Sequence, residues 1–368
     1  VIDFGSQYTQ LIARRIREQK VYSEILHYKT PLSTIFSKKP SGIIFSGGPA
    51  STTEDNAPLI DRQILSSEIP ILGICYGMQM IAKLLGGKVS KAKSREFGYA
   101  PLTIIKSTPL FTDVPAEIDV WMSHGDQVQI LPPGFETLAK TADCPIAAMG
   151  NDKKRIYGLQ FHPEVAHTPR GTQILRQFLF KVCHCKQNWQ ISRFIKETIK
   201  NIKSTVGKAH VICGLSGGID SSVVALLLHK AVGSQLHCIF VDNGLLRWKE
   251  AEQVKKTFGN IFGMDLHVAN AQKIFFKNLK GIIDPESKRK VIGKTFIDVF
   301  SRETRKLRNV DFLAQGTLYP DVIESISPFG GPSSTIKSHH NVGGLPSNLK
   351  FKLIEPLREL FKDEVRAI

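Results

Sequence analysis

Gly214-Leu215-Ser216-Gly217-Gly218-Ile219-Asp220-Ser221-Ser222 lies between an apolar run, His210-Val211-Ile212-Cys213, and a second, Val223-Val224-Ala225-Leu226-Leu227-Leu228. The first run reads as a buried strand and the second as a helix. Strand, glycine-rich turn, helix is the order of an anion site. Adjacent glycines let backbone N–H groups approach phosphate oxygens, Ser216, Ser221 and Ser222 add hydroxyls, and the helix N-terminus adds its positive end. No lysine follows the glycines, so the stretch is not the common G-x-x-x-x-G-K-[ST] loop. It is another kind of nucleotide loop or a Ser/Gly helix cap.

At 368 residues the chain is long enough for two or three domains, each with its own core. No uncharged apolar run approaches the roughly 20 residues of a membrane span, and no signal-peptide pattern opens the sequence, so no membrane partner and a cytoplasmic location are expected. The chain opens at Val1 inside a strand and stops at Ile368 after a helical pattern, so both ends read as trimmed. The six cysteines show no paired spacing and read as reduced thiols, Cys183-His184-Cys185 included. The net charge of +16 divides as +6 over residues 1–187 (22 basic, 16 acidic) and +10 over 188–368 (27 basic, 17 acidic). No aromatic-interleaved basic patch accompanies the excess. Small phosphorylated ligands rather than nucleic acid are therefore the expected partners.

In the first half, strands at Val1–Phe4, Gly42–Phe45 and Pro70–Ile74 alternate with helices at Gln10–Glu18 and Pro58–Ser67. That alternation implies a parallel sheet covered on both faces, with chemistry at the strands' C-terminal ends. There Gly73-Ile74-Cys75-Tyr76-Gly77 leads into a helix through Met78 to Ala82. A thiol between glycines at a strand-to-helix turn is either a buried structural cysteine or a nucleophile on an elbow. In the second case the helix N-terminus favours the thiolate, and the N–H groups of Tyr76 and Gly48 would stabilise an oxyanion. Gly158-Leu159-Gln160-Phe161-His162-Pro163-Glu164 decides between them. An imidazole and a carboxylate two residues apart on an extended chain allow a Cys75–His162–Glu164 acyl-transfer triad.

Gly-Ile-Cys-Tyr-Gly together with Phe-His-Pro-Glu resembles the class I glutamine amidotransferase domain, which hydrolyses the glutamine side-chain amide and passes ammonia onward. The resemblance implies a glutamyl thioester on Cys75, with His162 as base and acid and Glu164 completing the triad. Gly48 and Tyr76 would be the oxyanion donors, and Gln79, Ser123, His124 and Asp126 would hold glutamine. The stretch 104–160 would be the mostly β remainder of that domain.

After Phe178 the chain reads as helical and basic through Lys203, with the domain junction at Gln187–Gln190. Beyond the phosphate loop a second strand, Cys238-Ile239-Phe240-Val241, ends in Asp242-Asn243-Gly244-Leu245-Leu246-Arg247. Adjacent strand ends of this kind form one crevice in a doubly wound sheet. Ser-Gly-Gly-Ile-Asp-Ser-Ser after a strand resembles the ATP pyrophosphatase superfamily, which cleaves ATP between its α and β phosphates and adenylates an oxygen. The resemblance implies that Ser216, Gly217, Gly218, Ser221 and Ser222 grip pyrophosphate and that Asp220 lies in the Mg²⁺ environment. Val241 to Leu246 would receive adenine, and Lys294 would reach the triphosphate from a cationic helix, Lys288–Phe296.

An ammonia source joined to an adenylating domain amidates a carbonyl. The order found here, with Asp3 to Gln10, Gly316-Thr317-Leu318-Tyr319-Pro320-Asp321 and Lys337 to Leu345, resembles the glutamine-hydrolysing GMP synthetases over essentially the whole chain. The expectation is an α/β protein of two doubly wound parallel-sheet domains, 1–187 and 188–368. A third, C-terminal dimerisation domain, absent here, would make the family member a homodimer. The implied substrates are glutamine, ATP and xanthosine monophosphate (XMP), whose C2 oxygen is adenylated before ammonia displaces AMP. Arg247, Asp321, Lys337 and His339 would bind XMP, and Mg²⁺ would be the cofactor. The competing reading is an NAD synthetase-like amidase of the same superfamily.

Overall fold

The computed structural model of the chain describes residues 1–326 and 351–368. It divides into two compact units, Val1–Trp189 and Gln190–Ile368. Trp189 stays with the first unit because its backbone N–H donates to the Lys20 carbonyl at 2.9 Å and its ring lies 5.0 Å from the Arg17 guanidinium. The division therefore falls two residues beyond the expected junction after Gln187.

The first unit holds β1 (Ile2–Asp3), β2 (Leu26–His27), β3 (Ile43–Phe45), β4 (Ile71–Ile74), β5 (Lys88–Ile104), β6 (Glu117–Ile130), β7 (Glu136–Lys140), β8 (Ala148–Asn151) and β9 (Ile156–Leu159). They form one sheet in the order β2-β1-β3-β4-β9-β8-β7-β5-β6. The first five strands are parallel. The rest run antiparallel, so the sheet is mixed rather than parallel throughout. Residues 104–160 are mostly β, as expected.

Periodicity explains the difference. β3 and β4 are buried along their whole length, as strands covered on both faces must be. In β6 buried and open positions alternate, the pattern of an antiparallel strand covered on one face. Each fully buried side chain of β4, such as Ile71, Leu72 and Ile74, contributes about 1.5–3 kcal/mol by leaving water.

Helices close the parallel part. Thr9–Glu18 turns Ile12, Ala13 and Ile16 to the core, and Tyr76–Leu84 follows β4 directly. The helix expected over Pro58–Ser67 shrinks to a 3-10 turn, Arg62–Ser66. Asp61 accepts from the Gln63 N–H at 2.9 Å and so starts the turn four residues late.

The second unit carries β10 (His210–Leu215), β11 (Leu236–Asp242), β12 (Asp265–Asn270), β13 (Val310–Ala314) and β14 (Lys352–Ile354), all parallel, in the order β12-β11-β10-β13-β14. The chain steps outward from β10 to β12 and then crosses to β13. The topological switch point therefore lies between β10 and β13, where open α/β sheets place ligands. The helix Ile219–Val232 leaves the glycine-rich turn. The cationic run sits on a 20-residue helix, Pro285–Thr304, started by Asp284 accepting from the Ser287 N–H at 2.7 Å, with Pro285 in the first turn, where its missing N–H costs nothing. The segment from Gln315 to Asp321 becomes helical at Tyr319–Ile326. Pro320 is tolerated in that first turn, and Asp321 accepts from the Leu318 N–H at 3.0 Å. The segment Lys337 to Leu345, and with it Lys337 and His339, lies outside the described residues.

Candidate active sites

At the C-terminal ends of β3, β4 and β9 the first unit assembles a thiol, an imidazole and a carboxylate. Cys75 links β4 to its helix with φ 51° and ψ −107°, a conformation that L side chains rarely adopt. The turn exists because its neighbours are glycine. A Cβ on Gly73 would stand 2.6 Å from the backbone of Gly77 and Met78, and one on Gly77 would stand 2.6 Å from the Phe45 carbonyl oxygen. The Cys75 N–H donates to the Leu159 carbonyl at 2.7 Å, which ties the elbow to the end of β9.

His162 reaches this thiol from the segment after β9. Its Nδ1 bonds Glu164 Oε1 at 2.8 Å, and the Cys75 side chain is the ring's other electrostatic neighbour. Burial opposes a charge on this ring, yet the bonds and charges of Cys75 and Glu164 outweigh it and push His162 up to about 10. His162 is 4% exposed and Glu164 fully buried, so the pair is out of solvent's reach. Three bonds fix the segment: His162 N–H to the Trp121 carbonyl at 3.0 Å, Thr168 Oγ1 to the His162 carbonyl at 2.7 Å, and Arg15 Nε to the Glu164 carbonyl at 3.0 Å.

Around the sulfur, Gln160 Nε2 donates to Cys75 Sγ at 3.6 Å and Sγ–H faces the Ser123 carbonyl at 3.6 Å. Tyr8 sets its ring edge against His162, with centroids 5.3 Å apart. The loop carrying Gly48 is pinned by Ser46, whose hydroxyl accepts from the Phe4 N–H at 3.0 Å. A Cβ on Gly48 would meet the Phe4 carbonyl at 2.8 Å, and a Cβ on Gly47 would lie 3.2 Å from the His162 ring.

Gln79, Ser123, His124 and Asp126 come together beside Cys75, but much of their polar capacity is spent on one another. Gln79 Nε2 donates to the Asp126 carbonyl at 2.8 Å and to Gln160 Oε1 at 3.2 Å. His124 Nε2 pairs with Glu96 Oε2 at 2.9 Å, and its Nδ1 lies 3.1 Å from the Asp126 carbonyl. The Asp126 carboxylate accepts from Ser51.

In the second unit the glycine-rich turn follows β10 at the switch point. Gly217 takes φ +77°, and a Cβ there would stand 3.0 Å from Glu250 Oε1. The hydroxyls satisfy the loop itself. Ser221 Oγ accepts from the Ser216 N–H at 3.1 Å, Ser216 Oγ accepts from the Gly218 N–H at 3.2 Å, and Ser222 Oγ donates to the Gly218 carbonyl at 2.8 Å. Asp220, in the first turn of Ile219–Val232, accepts from Lys362 Nζ with both oxygens, at 2.6 and 2.5 Å. The segment after β13 closes over it: a Cβ on Gly316 would lie 3.4 Å from Asp220 Cβ, and Thr317 donates to Glu355 Oε1 at 2.6 Å. Val241 is buried in β11, and Leu246 is half-buried beyond its end. Arg247 is exposed, its N–H on Glu250 Oε2 at 2.9 Å, and Lys294 is exposed on its helix.

Residues 1–182 match the family model for glutamine amidotransferase class-I, and residues 190–288 match that for NAD synthase. Over the full length the chain is 57% identical to a GMP synthase (glutamine-hydrolyzing) of Caldicellulosiruptor saccharolyticus, 55% to one of Aquifex aeolicus and 52% to one of Aliivibrio fischeri. It covers all of this chain and 72%, 72% and 71% of those relatives. The chain belongs to the glutamine-hydrolysing GMP synthase family. The NAD synthase match reflects the pyrophosphatase domain shared across that superfamily, and identity over both domains favours the GMP synthases.

Several residues at the two sites of this GMP synthase family member escaped the sequence reading. Gln160 stands inside the Gly158–Glu164 motif but had no role assigned to it. Glu96, Tyr8, Ser51, Thr168 and Lys362 carried no motif of their own. Only the Asp3–Gln10 segment, which contains Tyr8, pointed to its neighbourhood.

Proposed function

We propose that the chain performs both half-reactions of glutamine-dependent GMP synthesis, with Cys75, His162 and Glu164 releasing ammonia and the turn at Ser216–Ser222 holding ATP. The observation that carries the first half is the strained Cys75 beside a His162 whose Nδ1 meets a buried Glu164. The Cys75 sulfur attacks the side-chain amide carbon of glutamine, and the oxygen, now negative, faces the N–H groups of Gly48 and Tyr76. His162 gives its proton to the departing nitrogen and ammonia leaves, so a thioester remains. Water, losing a proton to His162, attacks the thioester and releases glutamate. Gln79, Ser123, His124 and Asp126 shape the glutamine site chiefly through backbone, since the side chains of Gln79, His124 and Asp126 are already bonded to the Asp126 carbonyl, Gln160, Glu96 and Ser51.

In the second half the XMP C2 oxygen attacks the α-phosphorus of ATP, and pyrophosphate leaves. Ammonia then adds at C2 and AMP departs, giving GMP. Ser216, Gly217, Gly218, Ser221 and Ser222 face the departing phosphates, Val241 and Leu246 the adenine, Lys294 the triphosphate, and Arg247 and Asp321 the XMP. Asp220 with phosphate oxygens is the all-oxygen donor set Mg²⁺ takes. That fit requires Lys362 to leave the carboxylate, for which a phosphate is the natural acceptor. Mg²⁺, when bound, would neutralise charge gathering on pyrophosphate. A homodimeric, cytoplasmic enzyme belongs to the same reading.

Cys75→Ala tests the division of labour. GMP formation from XMP and ATP should stop with glutamine as donor and continue with ammonium salt. Loss of both activities in a folded variant, or no XMP-dependent pyrophosphate release by the unmodified protein, overturns it.

A further inference from the structure

The second unit carries a cluster of imidazoles at the edge of its sheet opposite the phosphate loop. His210 opens β10, His237 is the second residue of β11, and Asp265 and His267 lie in β12. Register puts them on one face. His237 pairs with Ile212 on one side and with Asp265 on the other, while His210 and His267 stand two residues along from those partners. The loop that we assign to ATP leaves the C-terminal end of β10, whereas these side chains gather at the N-terminal ends of three strands. Nothing in the proposed reaction uses them.

The contacts are close. His237 Nδ1 lies 2.5 Å and His267 Nε2 3.0 Å from the same oxygen, Asp265 Oδ2. One ligand atom from each of these three residues lies within 4.8 Å of the others. On the far side of His237, its Nε2 lies 2.7 Å from His210 Nδ1, and the two rings stack at 5.0 Å with 9° between their planes. Two imidazole nitrogens converging on one carboxylate oxygen are now joined by protons, and a dication can occupy the same place.

We propose that His237, Asp265 and His267 form a binding site for a single transition-metal dication, Zn²⁺ foremost. Two neutral imidazoles and one carboxylate are the borderline nitrogen–oxygen set that zinc takes, whereas Mg²⁺ and Ca²⁺ prefer oxygen alone. Zinc bonds of about 2.0–2.2 Å in tetrahedral geometry need ligand atoms roughly 3.4 Å apart. The present spacings must therefore open by less than about 1 Å. Asp265 and His267 can make that adjustment because their side chains are 46% and 37% exposed. The same exposure leaves a fourth position to water. His210 completes the site as a positioning residue. With His237 Nδ1 on the metal, its Nε2 carries the proton and donates to His210 Nδ1, which fixes tautomer and ring orientation as a second ligand layer does. A metal here would tie the starts of β11 and β12 together.

The test is zinc binding by the protein in competition with a chromophoric chelator, with cobalt(II) as spectroscopic reporter. One equivalent of zinc should bind. Asp265→Asn and His267→Asn, both at exposed positions, should each weaken binding at least tenfold while leaving the metal-free melting temperature near that of the parent. His210→Asn should weaken it by about tenfold, in the range of outer-layer partners. Bound cobalt should show ligand-field bands without a thiolate charge-transfer band. Zinc affinity unchanged in Asp265→Asn and His267→Asn, a thiolate band that disappears on Cys183→Ser or Cys185→Ser, or no stoichiometric zinc binding would each overturn the proposal.

Discussion

Replacing Glu164 by glutamine isolates what a buried carboxylate does for its histidine. The substitution keeps an oxygen that can accept from His162 Nδ1, now 2.8 Å from Glu164 Oε1, so ring orientation survives and the negative charge alone is removed. A hydrogen bond to a charged partner contributes about 1.5–3 kcal/mol. If that stabilisation belongs to the imidazolium that delivers the proton in glutamine cleavage, the loss is roughly 10- to 150-fold in glutaminase kcat/KM. Titration should move with it. His162 is held up to about 10, and Glu164 is one of the causes, so the variant's imidazole should lose its proton at lower pH. A raised histidine stabilises the fold fully below its unfolded value near 6.5 and loses that contribution as pH rises toward 10. The stability gap between parent and variant that arises from this charge should therefore narrow over that window. Glutamate release, histidine NMR titration and denaturant unfolding at several pH values read the three effects. An unchanged His162 titration together with unchanged glutaminase activity would refute the reasoning.

Gly77→Ala should lower stability by about 1–3 kcal/mol, because the new Cβ would lie 2.6 Å from the Phe45 carbonyl, and glutaminase activity should fall with the displaced elbow; denaturant melts and glutamate release check both. Lys362→Met should change stability by under about 1 kcal/mol, since the pair with Asp220 is partly exposed. The same variant should reduce XMP-dependent pyrophosphate release at least tenfold and leave glutaminase activity intact. Gly217→Ala should weaken ATP-dependent chemistry while sparing the first unit, as φ +77° strains any side chain and the new Cβ would press on Glu250 Oε1 at 3.0 Å; nucleotide binding by calorimetry decides it.

Chemistry carried by consecutive residues was legible in the sequence. The Cys75 elbow, the His162-Pro163-Glu164 run and the Ser216–Ser222 turn each define their geometry within one strand and one turn, so reading them needed no knowledge of distant contacts. What escaped depends on chain that returns from far away. Lys362 meets Asp220 across 142 positions, and its local pattern shows only a helix start that Glu364 caps through the Phe361 N–H. Glu96 belongs to a long β-strand and finds His124 only because β5 and β6 pair in antiparallel register. The mixed character of the first sheet was hidden for the same reason. β8 and β9 are short and mostly buried, and burial alone does not reveal strand direction.

The two sites solve opposite problems with one device, the turn after a parallel strand. At Cys75 the groups of the proposed triad are buried, with backbone strain held by glycines that admit no Cβ, so substrate would meet a site that needs little rearrangement. At Ser216 to Ser222 the loop is more open, and its hydroxyls and N–H groups bond each other. Phosphate must exchange those internal bonds for its own, and each exchange returns little net energy because bonds are traded rather than created. Charge is then the term left to drive binding. Beside the loop stands the ammonium of Lys362, at present neutralised by Asp220. Transfer of Lys362 from carboxylate to phosphate would free Asp220 as nucleotide arrives. Discrimination between a loaded and an empty loop would thus draw on that ammonium, and Lys362→Met should weaken ATP binding more than any single serine substitution in the loop.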